Sequence, residues 1–188
     1  MSRAVIAAVL LTGVGLTGCS GSPEAGDGGP DRTTTEFVQA WLEPQACPTG
    51  VAAASGLDLA DGPVDGLVAA PSPTLLTCFY GGDLLEMMGG EYNDLAAFLM
   101  AGTGENVAGM SVTKEAAAAE GGSVRDLPEF GQDAFAFEDS EDGSSVCVIM
   151  SSEGEGADAA LFNLTVVGPD THSPAELCDA AAGIARMR

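Results

Sequence analysis

The sequence predicts an α+β fold, namely an antiparallel sheet of about five strands with helices packed on it, stapled by two disulfides. The patterns along residues 35–188 follow the order α-α-β-β-α-β-β-β-α, which favours this architecture. Turn-forming residues at Gly81-Gly82 and at 139–143 separate strand-like segments and predict two hairpins. The third observation is an even number of cysteines after the leader: Cys47, Cys78, Cys147 and Cys178.

The composition describes one small and strongly acidic domain. The chain has 188 residues, and only 5% of them are aromatic, so its core is light. It carries 28 Asp and Glu against 6 Lys and Arg, a formal net charge of -22. This charge argues against nucleic acid and against an anionic membrane surface, because both attract cationic proteins. The acidic excess favours solubility, or a surface for a basic partner or polyamine.

Residues 1–18 have the pattern of a secretory signal peptide. Arg3 provides a positive start, and the run from Ala4 to Leu11 is apolar without interruption. A membrane-spanning helix needs about 20 strongly apolar residues. The run is shorter than that and is followed by glycines, so we expect the segment to be removed after export.

The segment Leu16-Thr17-Gly18-Cys19 resembles the lipobox of bacterial lipoproteins. In those proteins the Cys thiol receives a diacylglyceryl group and a dedicated peptidase cleaves before it. Small residues beside the scissile bond admit the backbone to the peptidase, and a thiolate is needed to accept the lipid. The resemblance implies lipidation of Cys19. The alternative is an ordinary signal peptide with a chance cysteine.

We expect residues 19–34 to form the lipidated Cys and a flexible tether. From Ser20 to Thr34 the chain is rich in glycine and acids and has no apolar residue larger than Ala25, so it cannot bury enough surface to order itself. Its root-mean-square span as a coil is about 20 Å. Residues 35–188 would then form a single extracytoplasmic domain.

The four remaining cysteines predict two disulfides, as expected in an oxidising compartment. Cys78 follows Cys47 by as many residues as Cys178 follows Cys147, and this equal spacing favours sequential pairing. Metal binding and free thiols are the alternatives. The chain has no Cys-x-x-Cys pair, and its one histidine, His172, lies in a turn-like stretch, so we expect no metal.

Two short helices open the domain. Apolar residues at i and i+4 between Phe37 and Leu42 predict a helix, with Thr35 as a possible N-cap and Pro44 just beyond its end. An alanine-rich helix from Thr49 to Ser55 ends at Gly56. The following residues, 58–72, mix Gly, Pro and Asp and predict a loop.

The middle of the chain predicts strands and one further helix. Thr74–Tyr80 and Asp83–Met88 form a predicted hairpin around the Gly81-Gly82 turn, and the apolar positions between Tyr92 and Leu99 predict a helix. Beyond it we expect a strand at Met110–Thr113 and an alanine helix at 115–119.

The last third carries the clearest signals. Gln132–Glu138 and Ser144–Ser151 predict a second hairpin, and Leu161–Val167 alternates apolar and polar residues like a half-buried strand. Ser173-Pro174-Ala175-Glu176 is a capping box that begins an amphipathic C-terminal helix. Arg186 and the residues after it lie where a helix dipole favours cations.

This pattern resembles an actinobacterial lipoprotein family labelled domain of unknown function 3558. The resemblance covers most of residues 36–188, and its motifs are short. They are Cys47, Gly56, Cys78-Phe79-Tyr80, Gly131-Gln132-Asp133-Ala134, Cys147 and Cys178. The family label implies an exported lipoprotein and no particular activity.

No arrangement in the sequence points to catalysis or to a cofactor. His172 stands beside Asp170 and Ser173, which is too local for a catalytic triad. The acidic tip at 138–143 lacks the ligand spacing of a calcium loop, and Met87-Met88 has none of the companions of a copper(I) site. The sequon at Asn163 lies in a predicted strand. We therefore expect no enzyme, no cofactor and no metal.

We conclude from the sequence that this is a lipid-anchored extracytoplasmic lipoprotein of the cell envelope, with a non-catalytic binding or accessory domain. Its expected partners are the membrane, through the lipid on Cys19, and an envelope protein or small ligand. One alternative is a ligand- or signal-sensing module with a pocket between sheet and helices. Another is a hydrolase.

The acidic surface predicts a salt-dependent stability. The carboxylates repel one another, and ions screen this repulsion, so the melting temperature should rise between low salt and about 0.5 M NaCl. Thermal melts in NaCl and in a divalent salt at matched ionic strength test this. A large gain from micromolar calcium, reversed by chelator, would instead reveal a specific site. No salt dependence would contradict the prediction.

Overall fold

The computed structural model describes residues 32–64, 71–82, 93–141 and 143–188. Four helices lie in this part of the chain: Thr34–Leu42 (α1), Val51–Ser55 (α2), Lys114–Ala119 (α3) and Pro174–Ala185 (α4). Six strands accompany them: Leu75–Tyr80 (β1), Ala96–Thr103 (β2), Ser123–Asp126 (β3), Phe135–Glu141 (β4), Ser144–Glu153 (β5) and Ala160–Pro169 (β6). Short 3-10 helices occur at Gly104–Asn106, Pro128–Phe130 and Gly156–Asp158.

The strands form one antiparallel sheet in the order β1-β2-β6-β5-β4-β3. The prediction of an antiparallel α+β sheet with helices packed on it is confirmed, with one strand more than the five expected. β5 and β6, ten residues each, pair over their whole length and form the middle of the sheet. Long central strands give the two layers of the domain a common platform.

Helices α1 and α4 cover one face of the sheet, which we call the helical face. α1 packs on β6 and β2, while α4 packs on β5 and β6 and also touches α2. The ring of Phe162 on β6 lies 4.8 Å from that of Phe37 and 5.5 Å from that of Trp41. All three rings are fully buried, and such aromatic contacts stabilise the layer beyond the area they bury.

A glycine allows α4 to approach α2 closely. Gly183 lies in the last turns of α4, and a Cβ there would collide with the backbone carbonyl of Ala54 at the end of α2. Glycine weakens a helix interior, so the close contact explains why it occurs here.

The opposite face of the sheet is covered by the segment that follows β2. Val107 and Ala117 of this segment pack against buried residues of the strands, among them Met100, Met150 and Phe135. The expectation that the strand at 161–167 is only half-buried is therefore wrong. Its polar side is enclosed too, and Asn163 is only 7% exposed.

Capping boxes begin both long helices. Thr33 caps α1 together with Glu36, two residues before the predicted cap Thr35. At α4 the predicted box is confirmed, because the Ser173 hydroxyl accepts from the Glu176 N–H and the Glu176 carboxylate accepts from the Ser173 N–H at 2.8 Å. The N–H of Ser173 and then its hydroxyl donate to the Glu176 carboxylate, and these two hydrogen bonds hold the pKa of Glu176 below its ordinary value.

Both predicted disulfides are present and tie the helical layer to the sheet. Cys47, in the loop after α1, pairs with Cys78 on β1, and Cys147 on β5 pairs with Cys178 on α4. Their Cα atoms are 5.7 and 5.1 Å apart, and each bridge closes a sequence separation of 31 residues. Each of the two layers therefore contributes one cysteine to each bridge.

The predicted helix between Tyr92 and Leu99 is wrong, because this part of the chain leads into strand β2, Ala96–Thr103. β2 lies between β1 and β6 and is buried on both faces, so its apolar residues are nearly continuous and carry no strand periodicity. The predicted return strand Asp83–Met88 lies outside the described residues, and β1 pairs instead with β2.

The stretch from Met110 to Thr113 is irregular and not the predicted strand. Within it, the backbone N–H of Val112 points to the side-chain sulfur of Met150 on β5 at 3.4 Å. The strand in this region is β3, Ser123–Asp126. Only Val124 in it is half-buried, so the sequence of β3 lacks the apolar alternation that would predict a strand. The alanine helix at 115–119 is confirmed by α3.

Both edges of the sheet are short or partly covered. On β3, Arg125 pairs with Glu138 at 3.7 Å, and Asp126 pairs with Lys114 of α3. On the outer side of β1, the backbone N–H of Val64 donates to the carbonyl of Phe79 at 2.8 Å.

The bridges predict a large loss of stability when either is removed. Replacing Cys147 and Cys178 together by Ala should lower the free energy of unfolding by about 3–4 kcal/mol, because the unfolded chain regains the freedom of the closed loop. Urea titration of this variant and of the Cys47/Cys78 double variant measures both effects. Losses below about 1 kcal/mol would contradict the prediction.

Candidate functional sites

The structure places the sequence-predicted positions in different parts of the molecule. Cys19 and the pair Met87-Met88 lie outside the described residues. The bridged cysteines Cys78, Cys147 and Cys178 are fully buried on the helical face, where they are structural.

The side chains of the Cys78-Phe79-Tyr80 motif, on edge strand β1, pack on both faces of the sheet. Cys78 and Tyr80 point to the helical face, whereas Phe79 packs in a cluster on the other side. The Tyr80 hydroxyl donates to the carbonyl of Pro48 at 3.0 Å. Burial raises the pKa of Tyr80 well above its ordinary value, against a smaller opposite effect of the Arg188 charge, so the hydroxyl remains a donor.

The Gly131-Gln132-Asp133-Ala134 segment belongs to a buried polar joint. Thr34, at the start of α1, and Ser151, on β5, share a hydrogen bond of 2.7 Å between their hydroxyls. Gly131 has a φ of 134° and lies so close that a Cβ would collide with both hydroxyl oxygens. Only glycine fits this position, so packing explains Gly131 of the motif.

His172 contributes to an open surface depression of about 630 Å³ at the start of α4. The depression is lined by Asp58, Gly81, Gly82, Asn93, Asp94, Leu95, Pro169 and His172. Two carboxylates and an imidazole make this lining polar. A second depression of about 710 Å³ runs along the outer side of α1 beside Pro73.

The remaining motifs have structural explanations. Residues 138–141 of the acidic tip lie at the end of β4, and Gly143, just before β5, has a φ of 85° and a carbonyl that accepts from the Asp170 N–H at 2.9 Å. Asn163 faces the covered side of β6, and its side-chain carbonyl accepts from the Thr165 hydroxyl at 3.2 Å. In the folded domain this asparagine is too buried for glycosylation.

Three arginines that no motif of the sequence singled out lie at the two ends of the domain, Arg32 at its start and Arg186 and Arg188 at its end. Arg32 lies over the ring of Phe37, with its guanidinium carbon 5.1 Å from the ring centre, and Arg188 lies over Trp41 at 5.8 Å. The Arg32 Nη1 also donates to the main-chain oxygen of Arg188 at 3.4 Å. This contact brings the two ends of the domain together.

Arg186 completes this group, which we call the arginine cluster. Its guanidinium lies 5.7 Å from the ring centre of Phe130, and its Nη2 is 3.3 Å from the carboxylate of Glu129. The side chain of Arg186 is 59% exposed. The signal in the sequence was the scarcity of cations, since three of the chain's few basic residues lie at the two ends of the domain.

In the part of the chain that the structure describes, no group of three or more His, Cys, Asp or Glu side chains is arranged to hold a metal ion. None of the helices there combines the length and the apolar character that a membrane crossing requires.

Comparison with known proteins gives no relative. No protein-family model, no curated protein and no solved structure matches this chain.

The buried joint predicts a specific effect at Gly131. Gly131→Ala should lower the free energy of unfolding by about 2–4 kcal/mol, because the methyl group displaces the paired hydroxyls and the residue keeps a positive φ. Gly121→Ala is the matched control, since Gly121 also has a positive φ, of 100°, but nothing lies within 4 Å of the place that its Cβ would occupy. Urea titration compares the two, and equal losses would contradict the steric explanation.

Proposed function

We propose that this chain is a lipid-anchored extracytoplasmic lipoprotein of the cell envelope, whose domain has a non-catalytic binding or accessory role. The observation that carries the proposal is Leu16-Thr17-Gly18-Cys19 at the end of an apolar leader. A lipid on Cys19 would hold the domain at the membrane, and more than one acyl chain is needed to hold it stably.

The bridges support an oxidising location. Disulfides persist in exported proteins and are rare in reducing compartments. Cys78, Cys147 and Cys178 are buried and Cys47 is partly buried, so both bridges stand within the packed part of the domain. The resemblance to the actinobacterial lipoprotein family belongs to the proposal on the same grounds, since the cysteines that carry it form these bridges.

The sensing alternative has less support from the packing. The described side chains between sheet and helices are close-packed, with Phe37, Trp41 and Phe162 at most 1% exposed. The two surface depressions lie elsewhere, one at the start of α4 and one on the outer side of α1. A ligand-binding role would therefore use the surface around Asp94 and His172 and not the helix–sheet layer.

Replacing the lipid acceptor tests the anchor. In cells that make the full chain, Cys19→Ser should abolish incorporation of a labelled fatty acid and move the protein from the detergent phase to the aqueous phase, because no thiol remains to accept the lipid. Ser20→Ala is the control, since it leaves the Leu16–Cys19 motif intact. Unchanged labelling and partitioning of Cys19→Ser would contradict the proposal.

A further inference from the structure

The two disulfides differ in how far solvent reaches them. Cys147 on β5 and Cys178 on α4 are both fully buried. In the other bridge, Cys78 on β1 is fully buried, whereas Cys47 is half-buried. Among the four bridged cysteines, Cys47 is therefore the one that keeps contact with solvent.

Cys47 stands at the end of an exposed loop. The four residues before it, 43–46, are all exposed. Gln45 in this loop has a φ of 47° and is the one residue other than glycine with a positive φ in the described part of the chain. This conformation costs free energy for a residue that has a Cβ, so the surroundings must hold the loop in place. The bond from Cys47 to Cys78 is the covalent tie nearest to it, and breaking that bond would let the loop relax.

Thiol–disulfide exchange needs access to one sulfur, because a thiolate attacks one sulfur and expels the other. Here the Cys47 side is the accessible one, since Cys78 is enclosed between sheet and helices. The new S–S bond forms to the Cys47 sulfur, and Cys78 leaves with the electron pair of the broken bond. A second thiol of the attacking molecule then displaces Cys47. The dithiol is oxidised to a disulfide, and its two protons end on the two cysteines.

The structure also accommodates the reduced form of this bridge. The Cys47 sulfur lies 3.4 Å from the carbonyl oxygen of Thr77. In the disulfide the sulfur carries no proton, but after reduction its S–H can donate to that oxygen. Beside the bridge, the Tyr80 hydroxyl donates to the carbonyl of Pro48 at 3.0 Å. This hydrogen bond does not depend on the disulfide, so it would keep the two thiols near each other and allow the bridge to form again.

We propose that Cys47–Cys78 is an exchangeable disulfide, that a dithiol attacks it at the Cys47 sulfur, and that its reduction releases the loop 43–47. The enclosed Cys147–Cys178 bridge stays oxidised and keeps the domain folded. Exposed disulfides are the labile and regulatory ones, whereas enclosed ones resist reduction. The partner is thus a molecule with two thiols, as in the paired cysteines of a disulfide reductase. The inference rests on the two bridges and not on the lipid at Cys19.

Timed reduction compares the two bridges in one sample. The full chain, purified with its disulfides intact, is exposed to dithiothreitol and then to excess light N-ethylmaleimide in urea. Complete reduction and heavy N-ethylmaleimide label the cysteines that were still bridged, and peptide mapping gives both fractions. We expect Cys47–Cys78 to be reduced on the order of 100-fold faster than Cys147–Cys178, because the enclosed bridge has to wait for the domain to open. Equal rates, or the reverse order, would overturn the proposal.

Glutathione identifies the attacked sulfur, because a monothiol stays on the cysteine that it attacks until another thiol displaces it. Acid arrests the exchange by protonating the thiolates, and peptide mapping locates the adduct. We expect the glutathione on Cys47. An adduct mainly on Cys78, or none on either cysteine, would contradict attack at Cys47.

Hydrogen exchange followed by NMR tests the release of the loop. After selective reduction, the amide of Gln45, which donates to the Leu42 carbonyl at 2.9 Å, should lose protection. The amide of Leu177 in α4, which donates to the Ser173 carbonyl at 3.1 Å, should keep its protection. Unchanged protection at Gln45 would refute the release, and loss at both positions would show that the domain unfolds instead.

Two variants test the return of the bridge, with oxidised glutathione as the oxidant and the same labelling as the readout. Tyr80→Phe removes the hydrogen bond to Pro48 and should slow the return of Cys47–Cys78 several-fold. Thr77→Val is the matched control, because Thr77 also neighbours Cys78 but its buried hydroxyl has no hydrogen-bond partner among the described residues. Equal slowing in both variants, or none in Tyr80→Phe, would show that this hydrogen bond does not hold the thiols together.

Discussion

The attachment of the helical layer to the sheet is the constraint on which the rest of this domain depends. α1 and α4 come from opposite ends of the domain sequence, yet both lie on one face of a sheet whose middle strands, β5 and β6, are adjacent in sequence. Phe162 provides the apolar contact between sheet and α1, and one disulfide fixes α4 to β5. The other disulfide fixes the loop after α1 to the edge strand β1. With so few aromatic residues in the chain, covalent ties replace part of the core that a larger domain would build.

Where local signals were strong, the sequence predicted the fold well. The capping box at Ser173 and Glu176 specifies a helix start by hydrogen bonds among four residues, so it needs no knowledge of the rest of the molecule. The second hairpin was equally local. The disulfide pairing was predicted from the equal spacing of the four cysteines. The lightly built core made such covalent ties plausible.

The sequence predicted less where burial hid the periodicity. β2 is enclosed by strands on both sides and by side chains on both faces, so its run of Ala, Phe, Leu and Met fits a helix as well as a strand. Strand β3 was not predicted, for the opposite reason: an exposed edge strand needs no apolar alternation. The arginine cluster was not predicted, because it joins Arg32 to residues more than 150 positions later, a separation of 156 for Arg188, and only the scarcity of cations pointed to it.

The edges of the sheet have a consequence for crowding. Lipid-anchored domains share a plane and collide far more often than free proteins do, and an open strand edge in such a layer is a template for pairing between neighbours. Here β3 is four residues long and bears two ion pairs, and the Val64 N–H occupies one carbonyl of β1. The strong net negative charge makes neighbouring copies repel one another. On the proposed anchor, these features would disfavour strand pairing between neighbouring copies, which a neutral, open-edged sheet would allow.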